Sequence, residues 1–423
     1  MPQRGVNRLS AYIRRLLVRA SLAMANLTLQ SLAWCCFRRE KRSVHCILVF
    51  RSSAIGDFLC CLPALAYLRK MHPAASIHLL TMATGVRKYR GDARFLAGGA
   101  ILSDPQLVDE VHLFDNTRLF SLPYLREMRA RMRALHPDRV FLLPQTGALF
   151  PGMVRKILFL RSLGLTRNVT GYRVHQLGFL RKTQFAMGLY VHQVTAAMRA
   201  AGGNATDAVE FHVSRPPSAR HAVDRRWVDC GLGPPAGLIC IFVGAKFDHK
   251  RWPIENFAEI CRRVSAHLGA SLILIGGAQE VPLAKALRSM LLVPPVDFVG
   301  KLDLLETAEV LRRCRLHVGN DSGPAHLSAA VGTPCITITS GIAFPGSWEA
   351  WGRDNITLRH RVSCEYCFGE DHCPNGTMDC IRGIGVDEVW QAVLTLWSRT
   401  SSAFRVATNS CESNHESPTS CPL

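Results

Sequence analysis

The feature that most constrains the fold is an alternation of short apolar runs with amphipathic helical stretches, which occurs twice along the chain. Short apolar runs favour buried parallel strands, and apolar residues spaced three or four apart favour helices. The first series predicts strands at 44–50, 76–81, 109–114 and 139–144, with a helix at 122–135. The second series predicts strands at 238–244, 271–277, 296–300, 316–320 and 334–339, with helices at 254–268, 281–292, 304–313, 324–331 and 387–397. This alternation indicates right-handed βαβ units and parallel sheets.

The restart of the pattern in a chain of 423 residues predicts two α/β domains. The sequence Ser-Arg-Pro-Pro-Ser at 214–218 is typical of a linker. We therefore expect domains at 44–213 and 219–398, with a ligand cleft between them, since ligands bind at the carboxyl ends of parallel strands. The Ser/Thr-rich segment 399–423 is predicted to be disordered.

Residues 1–43 form an extension in which basic residues flank an apolar stretch at 20–37. The stretch contains polar residues such as Asn26, which is unusual for a helix that spans a membrane. The flanking basic residues are Arg4, Arg8, Arg14, Arg15, Arg19, Arg38, Arg39, Lys41 and Arg42. We predict a basic helix that lies on the cytoplasmic face of the membrane. The alternative is a frayed extension without a partner.

The net charge of +19 favours an anionic partner. The basic residues are spread along the chain, without the clusters or motifs of nucleic-acid binding, so we expect no nucleic-acid partner. An anionic membrane surface or glycolipid fits the charge equally well. The 16 cysteines are scattered through a long chain, which favours a reducing cytosol over a secreted disulfide framework.

The first candidate site follows the first predicted strand and contains Arg51, Ser53, Gly56 and Asp57. Gly56 permits a tight turn or a close backbone approach. A carboxylate at the mouth of a cleft can act as a general base. The alternative is that Asp57 simply caps a helix that starts at Phe58, because aspartate is a favoured N-cap residue.

The second candidate site lies between a strand and a helix and contains Asp321, Ser322, Gly323 and His326. Backbone N–H groups at a helix N-terminus bind anions, and the helix dipole favours phosphate there. The two small residues would let a diphosphate approach the backbone. The alternative is a capped helix in which His326 has no functional role.

Two further strand ends carry charged residues. Lys250 and Arg251 are adjacent cations that suit a diphosphate, and Glu280 can accept hydrogen bonds from ribose hydroxyls. The alternatives are a solvated basic turn and a glutamate that is favoured in the first turn of a helix. All four candidate sites fall at the carboxyl ends of predicted strands, and this agreement carries more weight than any single motif.

Three segments together resemble glycosyltransferase family 9, which contains the ADP-heptose:lipopolysaccharide heptosyltransferases. They are ILVFRSSAIGDFLCCLPAL at 47–65, KRWPIENFAEI at 250–260 and NDSGPAHLSAAVGTP at 320–334. The likeness runs in the family's order from about Val44 to about Leu396. It implies a GT-B fold, in which two Rossmann-like parallel-sheet domains face each other across a cleft. The N-terminal domain is then the acceptor side, and the C-terminal domain binds the nucleotide sugar.

The resemblance also implies an activity and a set of roles. The activity is metal-independent, inverting transfer of heptose or a related sugar from a nucleotide donor to a lipopolysaccharide core or other anionic lipid-linked glycan, with no cofactor required. Asp57 matches the family's proposed general base, and Lys250 matches the lysine on the donor phosphates. The donor-site loop of the family is matched by Asp321, Ser322, Gly323 and His326. Its ribose-binding acid is matched by Glu280. An enzyme of this kind would be cytoplasmic and peripheral on the inner membrane.

The chain departs from the family pattern at two places. Ala245-Lys246 stands before KRWP, where many relatives carry serine or threonine, so Lys246 is a candidate phosphate contact together with Arg251. Thr339-Ser340-Gly341-Ile342 replaces a run that often contains Phe-Gly-Pro-Thr. The sugar and nucleoside contacts therefore differ from the pattern at this point.

Cys364, Cys367, Cys373 and Cys380 form a C-x2-C-x5-C-x6-C run. Four thiolates can hold a structural zinc ion, but the second pair is spaced too widely for a standard knuckle. Free or redox-paired thiols in a surface loop are the favoured interpretation.

Two other functions are compatible with the same motifs. One is a GT-B nucleotide-sugar epimerase or hydrolase, which would use the donor domain without a glycan acceptor. The other is a non-catalytic, membrane-associated scaffold, which the presence of both Asp57 and Lys250 disfavours.

Overall fold

The computed structural model describes residues 3–38, 40, 43–82, 104–119, 121–143, 149–175, 177, 180–204, 210–232, 237–367 and 372–412. Predicted features at Arg39, Lys41, Arg42, Pro144 and 413–423 lie outside these residues, as do the side chains of Arg4 and Arg8. The chain divides into two compact units. The first contains Met1–Pro216, Asp303–Leu305 and Ala343–Trp351, and the second contains the remainder.

The first unit is built on a five-stranded parallel sheet. Its strands are β1 Cys46–Arg51, β2 Ser76–Met82, β3 Glu110–Phe114, β4 Arg139–Leu142 and β5 Val169–Thr170. They lie in the order β3-β2-β1-β4-β5. The helices are α1 Gln3–Cys36, α2 Ile55–Leu59, α3 Leu62–Met71, α4 Leu122–Ala134, α5 Phe150–Ser162, α6 Arg181–Ala186 and α7 Gln193–Ala201.

The second unit is built on a six-stranded parallel sheet. Its strands are β6 Leu238–Phe242, β7 Ser271–Leu274, β8 Val296–Asp297, β9 Leu316–Asn320, β10 Cys335–Ile338 and β11 Ile356–Leu358, in the order β11-β10-β9-β6-β7-β8. The helices are α8 Pro217–Asp229, α9 Ile254–Leu268, α10 Val281–Ser289, α11 Leu304–Arg313, α12 Gly323–Ala330, α13 Asp379–Arg382 and α14 Val386–Glu412. The α/β class and the two parallel sheets predicted from the sequence are confirmed.

Both sheets reverse their strand order next to their first strand. In sequence order the six-stranded sheet runs 3-2-1-4-5-6, the order of a dinucleotide-binding sheet, and the five-stranded sheet runs 3-2-1-4-5. The crevice outside the carboxyl ends of the two strands at such a reversal is where open α/β sheets bind ligands. These strands are β1 and β4 in the first unit and β6 and β9 in the second.

Apolar strands buried on both faces form the core of each unit. In the first unit, Leu48 and Phe50 of β1 pack in one cluster with Ile157 and Leu160 of α5. In the second unit, β6, β9 and β10 pack with α9 and α14, and every residue of β6 is buried. Such nearly continuous apolar strands are the pattern that parallel sheets require, because helices cover both faces.

The N-terminal extension is a helix that belongs to the first unit and packs into its core. Leu29 and Ala33 of α1 belong to the same buried cluster as α5. The amide of Asn26 donates to the carbonyl of Val174 at 3.1 Å, and the N–H of Val174 donates back to Asn26 at 3.0 Å. The frayed extension is therefore wrong for this part of the segment, because its apolar and polar side chains both find partners.

The segment Ala343–Trp351 belongs to the first unit, although we expected it within a C-terminal domain at 219–398. The ring of Phe344 stacks on Phe185 with centroids 4.5 Å apart, and Gly346 packs against Tyr190. Aromatic stacking and burial hold the segment against α6 and the residues after it. The main division falls at Pro216–Pro217, inside the predicted linker, and α8 begins there at Pro217.

The last helix is longer than the sequence analysis predicted. It runs to Glu412, through residues 399–412, which were expected to be disordered. The guanidinium of Arg315 lies over the ring of Trp397 and donates to Thr400 at 2.8 Å. These contacts and the absence of proline or glycine from 399 to 412 allow the helix to continue.

Candidate functional site

A buried arginine organises the strand reversal of the first unit. Arg51 is the last residue of β1 and is only 1% exposed. Its guanidinium donates to the carbonyl of Leu143 after β4 and to the carbonyl of Asp57, at 3.0 and 2.8 Å, and to Ser53 Oγ at 3.0 Å. Because these bonds use donors on all three nitrogens, Arg51 positions the loop around Asp57 instead of offering its charge to a substrate.

The Asp57 side chain lies beside this arginine and remains partly exposed. Its Oδ1 is 3.6 Å from Arg51 Nη2, and its side chain is 19% exposed. Helix α2 begins at Ile55 with Ala54 as its N-cap residue, so the alternative in which Asp57 caps a helix at Phe58 is wrong. Asp57 is instead in the first turn, where the helix dipole favours a negative charge. Gly56 lies within the helix and not in a tight turn.

Gln193 is a site residue that the sequence analysis missed. Its side-chain amide donates to Asp57 Oδ1 at 3.3 Å, and the residue is fully buried. It is the first residue of α7, whose N-terminus is capped by His192. The backbone N–H of Gln193 donates to the carbonyl of Ser347 at 3.2 Å. A buried amide that orients a carboxylate leaves no local sequence signal, since the pair is 136 residues apart.

Lys156 on α5 is a second residue that was missed. Burial and the nearby charge of Arg51 together lower the pKa of its ammonium to about 8, and Asp57 partly opposes this shift. The structure therefore places a titratable cation in the same cluster as Arg51 and Asp57. No motif pointed to it, because the helix that carries it was not predicted.

In the second unit, an ion pair spans the strand reversal. Lys250 follows β6 in a single 3₁₀ turn, and its ammonium lies 2.8 Å from Asp321 Oδ2 after β9. Burial alone would raise the pKa of Asp321, but Lys250, His326 and Arg359 hold it below its usual value. The lysine is 20% exposed and the aspartate only 7%, so the cation is the member of the pair that a ligand can reach.

Asn320 fixes the two loops that carry this ion pair. It is fully buried, and its amide donates to the carbonyls of Val243 and Gly244 at 2.9 and 3.0 Å. Its Oδ1 accepts the backbone N–H of Trp252 at 3.0 Å. The end of β9 and the loop after β6 are thus bonded at three points, which restricts the position of Lys250.

Glu280 is buried and packs against Gly244, where a Cβ atom would approach Glu280 Cγ to 2.4 Å. Burial raises the pKa of Glu280, while hydrogen bonds such as the one from the N–H of Gly277 at 2.8 Å counteract this. The structural interpretation, a first-turn glutamate that caps its own turn, therefore has direct support. The ribose-binding role remains a prediction.

The helix that follows Asp321 presents its N-terminus at the same edge of the sheet. Ser322 is the N-cap residue of α12, but its side chain makes no capping bond. The first N–H groups of a helix lack partners within the helix, so those of Ser322 and Gly323 suit an anion. His326 lies within α12 and is buried.

Thr339 and Ser340, at the end of β10, bring two more polar groups to this edge. Both residues are buried, and their hydroxyl oxygens have no hydrogen-bond partner in the part of the chain that the structure describes. A buried hydroxyl without a partner is costly, so a ligand that bonds to it is favoured. These residues stand where the sequence departs from the family pattern.

Arg251 and Lys246, the two other candidate phosphate contacts, differ in the contacts that they already make. The guanidinium of Arg251 donates to the carbonyl of Ala245 at 3.0 Å and to Asp248 at 2.5 Å, so it supports its own loop. Lys246 is exposed, with its ammonium 4.8 Å from the ring centroid of Phe247. Lys246 is therefore the more available of the two cations.

The four cysteines of the C-terminal run line one small cavity together with the buried His249. All four are free thiols, and no three of their sulfur atoms lie within 4.8 Å of one another in the described residues. Burial raises the pKa of Cys373, but backbone N–H groups of residues 375–378 outweigh this and hold it below its usual value. The choice between a structural zinc site and free thiols remains a prediction.

Part of the chain matches a known protein family. The model of glycosyltransferase family 9 (heptosyltransferase) matches residues 190–377, which include the whole second-unit site. Lipooligosaccharide heptosyltransferase 2 of Haemophilus influenzae is 32% identical over 102 residues, 22% of this chain. The match covers only 29% of that relative's length.

Two solved structures share the fold over most of the chain. A family 9 glycosyl transferase from Veillonella parvula has a TM-score of 0.64 at 20% identity, covering 84% of this chain and 97% of that one. The ADP-heptose lps heptosyltransferase II of E. coli has a TM-score of 0.58 at 16% identity, covering 84% and 98%. The fold is therefore GT-B. The family-model match shows that residues 190–377 are similar to glycosyltransferase family 9, and the solved structures show the fold of most of the chain.

Proposed function

We propose that this protein is an inverting glycosyltransferase that transfers a heptose from ADP-heptose to the core of a lipopolysaccharide or to a related lipid-linked glycan. The observation that carries the proposal is the Lys250–Asp321 pair at the strand reversal of the second sheet. A cation held at that position, next to a helix N-terminus, suits the diphosphate of a nucleotide sugar.

The donor diphosphate would be bound by Lys250 and by the N–H groups of Ser322 and Gly323. When the bond between the anomeric carbon and the phosphate oxygen breaks, negative charge develops on the leaving nucleoside diphosphate. Preorganised donors that are aimed at this charge lower the barrier without a metal ion. The hydroxyls of Thr339 and Ser340 are candidates for the contacts that select the sugar or the nucleoside.

Asp57 would act as the general base. It accepts the proton of the acceptor hydroxyl as the acceptor oxygen forms its bond to the anomeric carbon. The nucleoside diphosphate departs from the opposite face with the electron pair of the broken bond, so the configuration inverts. Arg51 and Gln193 hold the carboxylate in place, and such positioned general-base catalysis contributes about 10²–10⁴-fold.

The exposed face of α1 is the proposed contact with the membrane that carries the acceptor. Residues 13–36 of α1 are long and apolar enough to span a membrane by length and composition, and a signal sequence or a core helix passes the same criterion. The exposed apolar residues recur at helical spacing and are Ile13, Leu16, Leu17, Met24, Leu27 and Trp34. Because the other face packs on the first unit and Arg14, Arg15 and Arg19 lie alongside, a surface orientation is favoured.

Donor binding and acceptor-dependent turnover test the proposed activity. We expect ADP-heptose to raise the unfolding temperature more than UDP- or GDP-sugars do, because a ligand of the native state stabilises it by mass action. Release of ADP should then require a lipopolysaccharide acceptor. Release without any acceptor would favour an epimerase or hydrolase, and stabilisation by a different nucleotide sugar would exclude heptose. No response of folded protein to any donor would favour a scaffold.

Vesicle flotation tests the membrane contact separately. We expect the protein to float with vesicles that contain anionic phospholipid and to be released by salt. The double substitution Leu17→Ser and Trp34→Ser should reduce flotation, whereas Leu122→Ser, an exposed leucine on α4, should not. Equal flotation of all three proteins would contradict a role for α1.

A further inference from the structure

Two histidines and a glutamate meet on the outer strands of the first sheet, away from the carboxyl ends that form the candidate site. Strands β2 and β3 are paired in parallel, with His78 opposite Glu110 and Leu80 opposite His112. Residues two apart on a strand point to the same face, so the three polar side chains share one face of the sheet. We infer that His78, Glu110 and His112 form a binding site for a divalent transition-metal cation such as Zn²⁺.

The distances between the three candidate ligand atoms fit one shared ion. His78 Nδ1 lies 3.1 Å from His112 Nε2 and 3.4 Å from Glu110 Oε2, and His112 Nε2 lies 3.6 Å from the same oxygen. Zinc binds nitrogen and oxygen at about 2.0–2.2 Å, and tetrahedral angles then separate two ligand atoms by roughly 3.3–3.5 Å.

Burial and charge also suit a cation at this position. His112 is buried, and the carboxylate of Glu110 beside it supplies a negative charge. Glu110 is 58% exposed, so solvent and an entering ion can reach the site. Two imidazoles and one carboxylate with a position open to water form a ligand set typical of zinc and related first-row metals.

The guanidinium of Arg131 lies beside His112 and opposes metal binding, so its substitution tests the proposed site. Arg131 Nη2 on α4 lies 3.4 Å from His112 Nδ1. A bond from the guanidinium requires Nδ1 to accept, whereas a metal on Nε2 requires Nδ1 to carry the proton. Arg131 is exposed and can turn into solvent. Its removal should therefore strengthen metal binding, which a simple histidine pair would not predict.

A bound ion would join the edge strand β3 to β2 and would take no part in sugar transfer. The inference is thus independent of the proposed function. It also differs from the prediction of a thiolate site at the four cysteines, because the ligand atoms here are nitrogen and oxygen. The two sites must be told apart in any metal titration.

Zinc titration of the full-length protein against a chromogenic chelator tests the site. We expect the wild type to bind one zinc ion per protein at this site, and His112→Gln to bind none there. Glu110→Gln should bind this zinc ion at least about tenfold more weakly than the wild type. Arg131→Met should bind it more tightly than the wild type. His221→Gln, an exposed histidine on α8, is the matched control and should behave as the wild type does.

Cobalt and thermal unfolding separate this site from the cysteines and from folding defects. Co²⁺ can replace Zn²⁺ in the titration. The cobalt ion that binds to the wild type but not to His112→Gln should show no sulfur-to-cobalt charge-transfer band. Zinc should raise the unfolding temperature of the wild type more than that of Glu110→Gln, whose substituted side chain is exposed and should not affect folding. Equal zinc affinity of wild type, Glu110→Gln and His112→Gln, or a thiolate band on every bound equivalent, would overturn the inference.

Discussion

The two units each carry an aspartate beside their strand reversal, but the surroundings of the two carboxylates differ. Asp57 in the first unit accepts a bond from a neutral amide, and the nearby guanidinium of Arg51 is already bonded to carbonyls. Asp321 in the second unit is in direct contact with the ammonium of Lys250. The first carboxylate is 19% exposed, and the second only 7%.

From this difference we infer different roles for two residues of the same type. A carboxylate that is open to solvent and oriented by an amide can take up a proton from a substrate. A carboxylate in a close, buried ion pair serves to position its partner cation, because protonating it would leave Lys250 without a counter-charge. The environment of a titratable group, and not its type, decides its role in catalysis.

The largest effect should come from Asp57→Asn, which keeps the shape of the side chain and removes the base. We expect kcat to fall about 10²–10⁴-fold while the dissociation constant of the donor stays within about twofold. Steady-state ADP release and donor titration measure the two quantities. Asp321→Asn should show the opposite pattern, with weaker donor binding. If both substitutions reduced donor affinity alike, the contrast between the carboxylates would be wrong.

Removal of Lys250 should reveal the structural part of its role. We expect Lys250→Met to lower the free energy of unfolding by about 3–5 kcal/mol, because the buried carboxylate of Asp321 loses its direct ion-pair partner. The double variant with Asp321→Asn should recover part of this loss, since no charge is then left unpaired. Urea unfolding of both single variants and the double variant measures the coupling. Strictly additive losses would show that the pair is not coupled.

Acid should weaken the strand that leads to Asp321. Burial lowers the pKa of His317 in β9 to about 4, against about 6.5 in an unfolded chain. The unfolded state therefore binds more protons between these values, and stability falls as the pH drops. The expected loss from pH 7 to pH 5 is about 2 kcal/mol.

Urea midpoints at the two pH values measure this loss. The variant His317→Gln should have a smaller difference between them, and His221→Gln should match the wild type. An unchanged pH dependence in His317→Gln would show that other groups cause the acid sensitivity.

The smallest effect should come from Lys156→Met next to Asp57. The pKa of Lys156 is about 8, so its charge is present at pH 7 and is lost as the pH rises above 8. A cation at this position would attract an anionic acceptor with about 1 kcal/mol, roughly fivefold in KM. We expect KM of the wild type to rise between pH 7 and 9 with little change in kcat. The variant should have the higher KM at pH 7 and nearly the same KM as the wild type at pH 9, and a pH-dependent KM in the variant would contradict this role.

The sequence predicted best those elements whose local signals are sharp. The observed bounds of α9, α11 and β9 match the predicted ones. Helix α9 has apolar residues on one face, Pro253 before it and Gly269 after it, and such signals act within a few residues. Helix α5 was missed because Pro151 and Gly152 in its first turn are typical of a loop.

The site was predicted only where each residue lies at a strand end. Asp321 follows β9 directly, and Asp57 and Lys250 lie in the segments after β1 and β6, so the strand-end rule placed all three at the carboxyl edge of their sheets. Gln193 and Lys156 meet Asp57 through contacts between distant parts of the chain, which no local pattern encodes. The hydroxyls of Thr339 and Ser340 could have been proposed by the same strand-end rule, since both directly follow β10.

The return of residues 343–351 to the first unit has a consequence for biosynthesis. On the ribosome, the first unit emerges long before this segment, and the bond between His192 and the carbonyl of Glu349 joins residues 157 apart. The surface around Phe185 and Gln193 therefore stays uncovered until most of the second unit has been translated. Until then the nascent chain exposes apolar surface that is prone to aggregation. A fragment that ends at Pro216 would have the same open surface permanently.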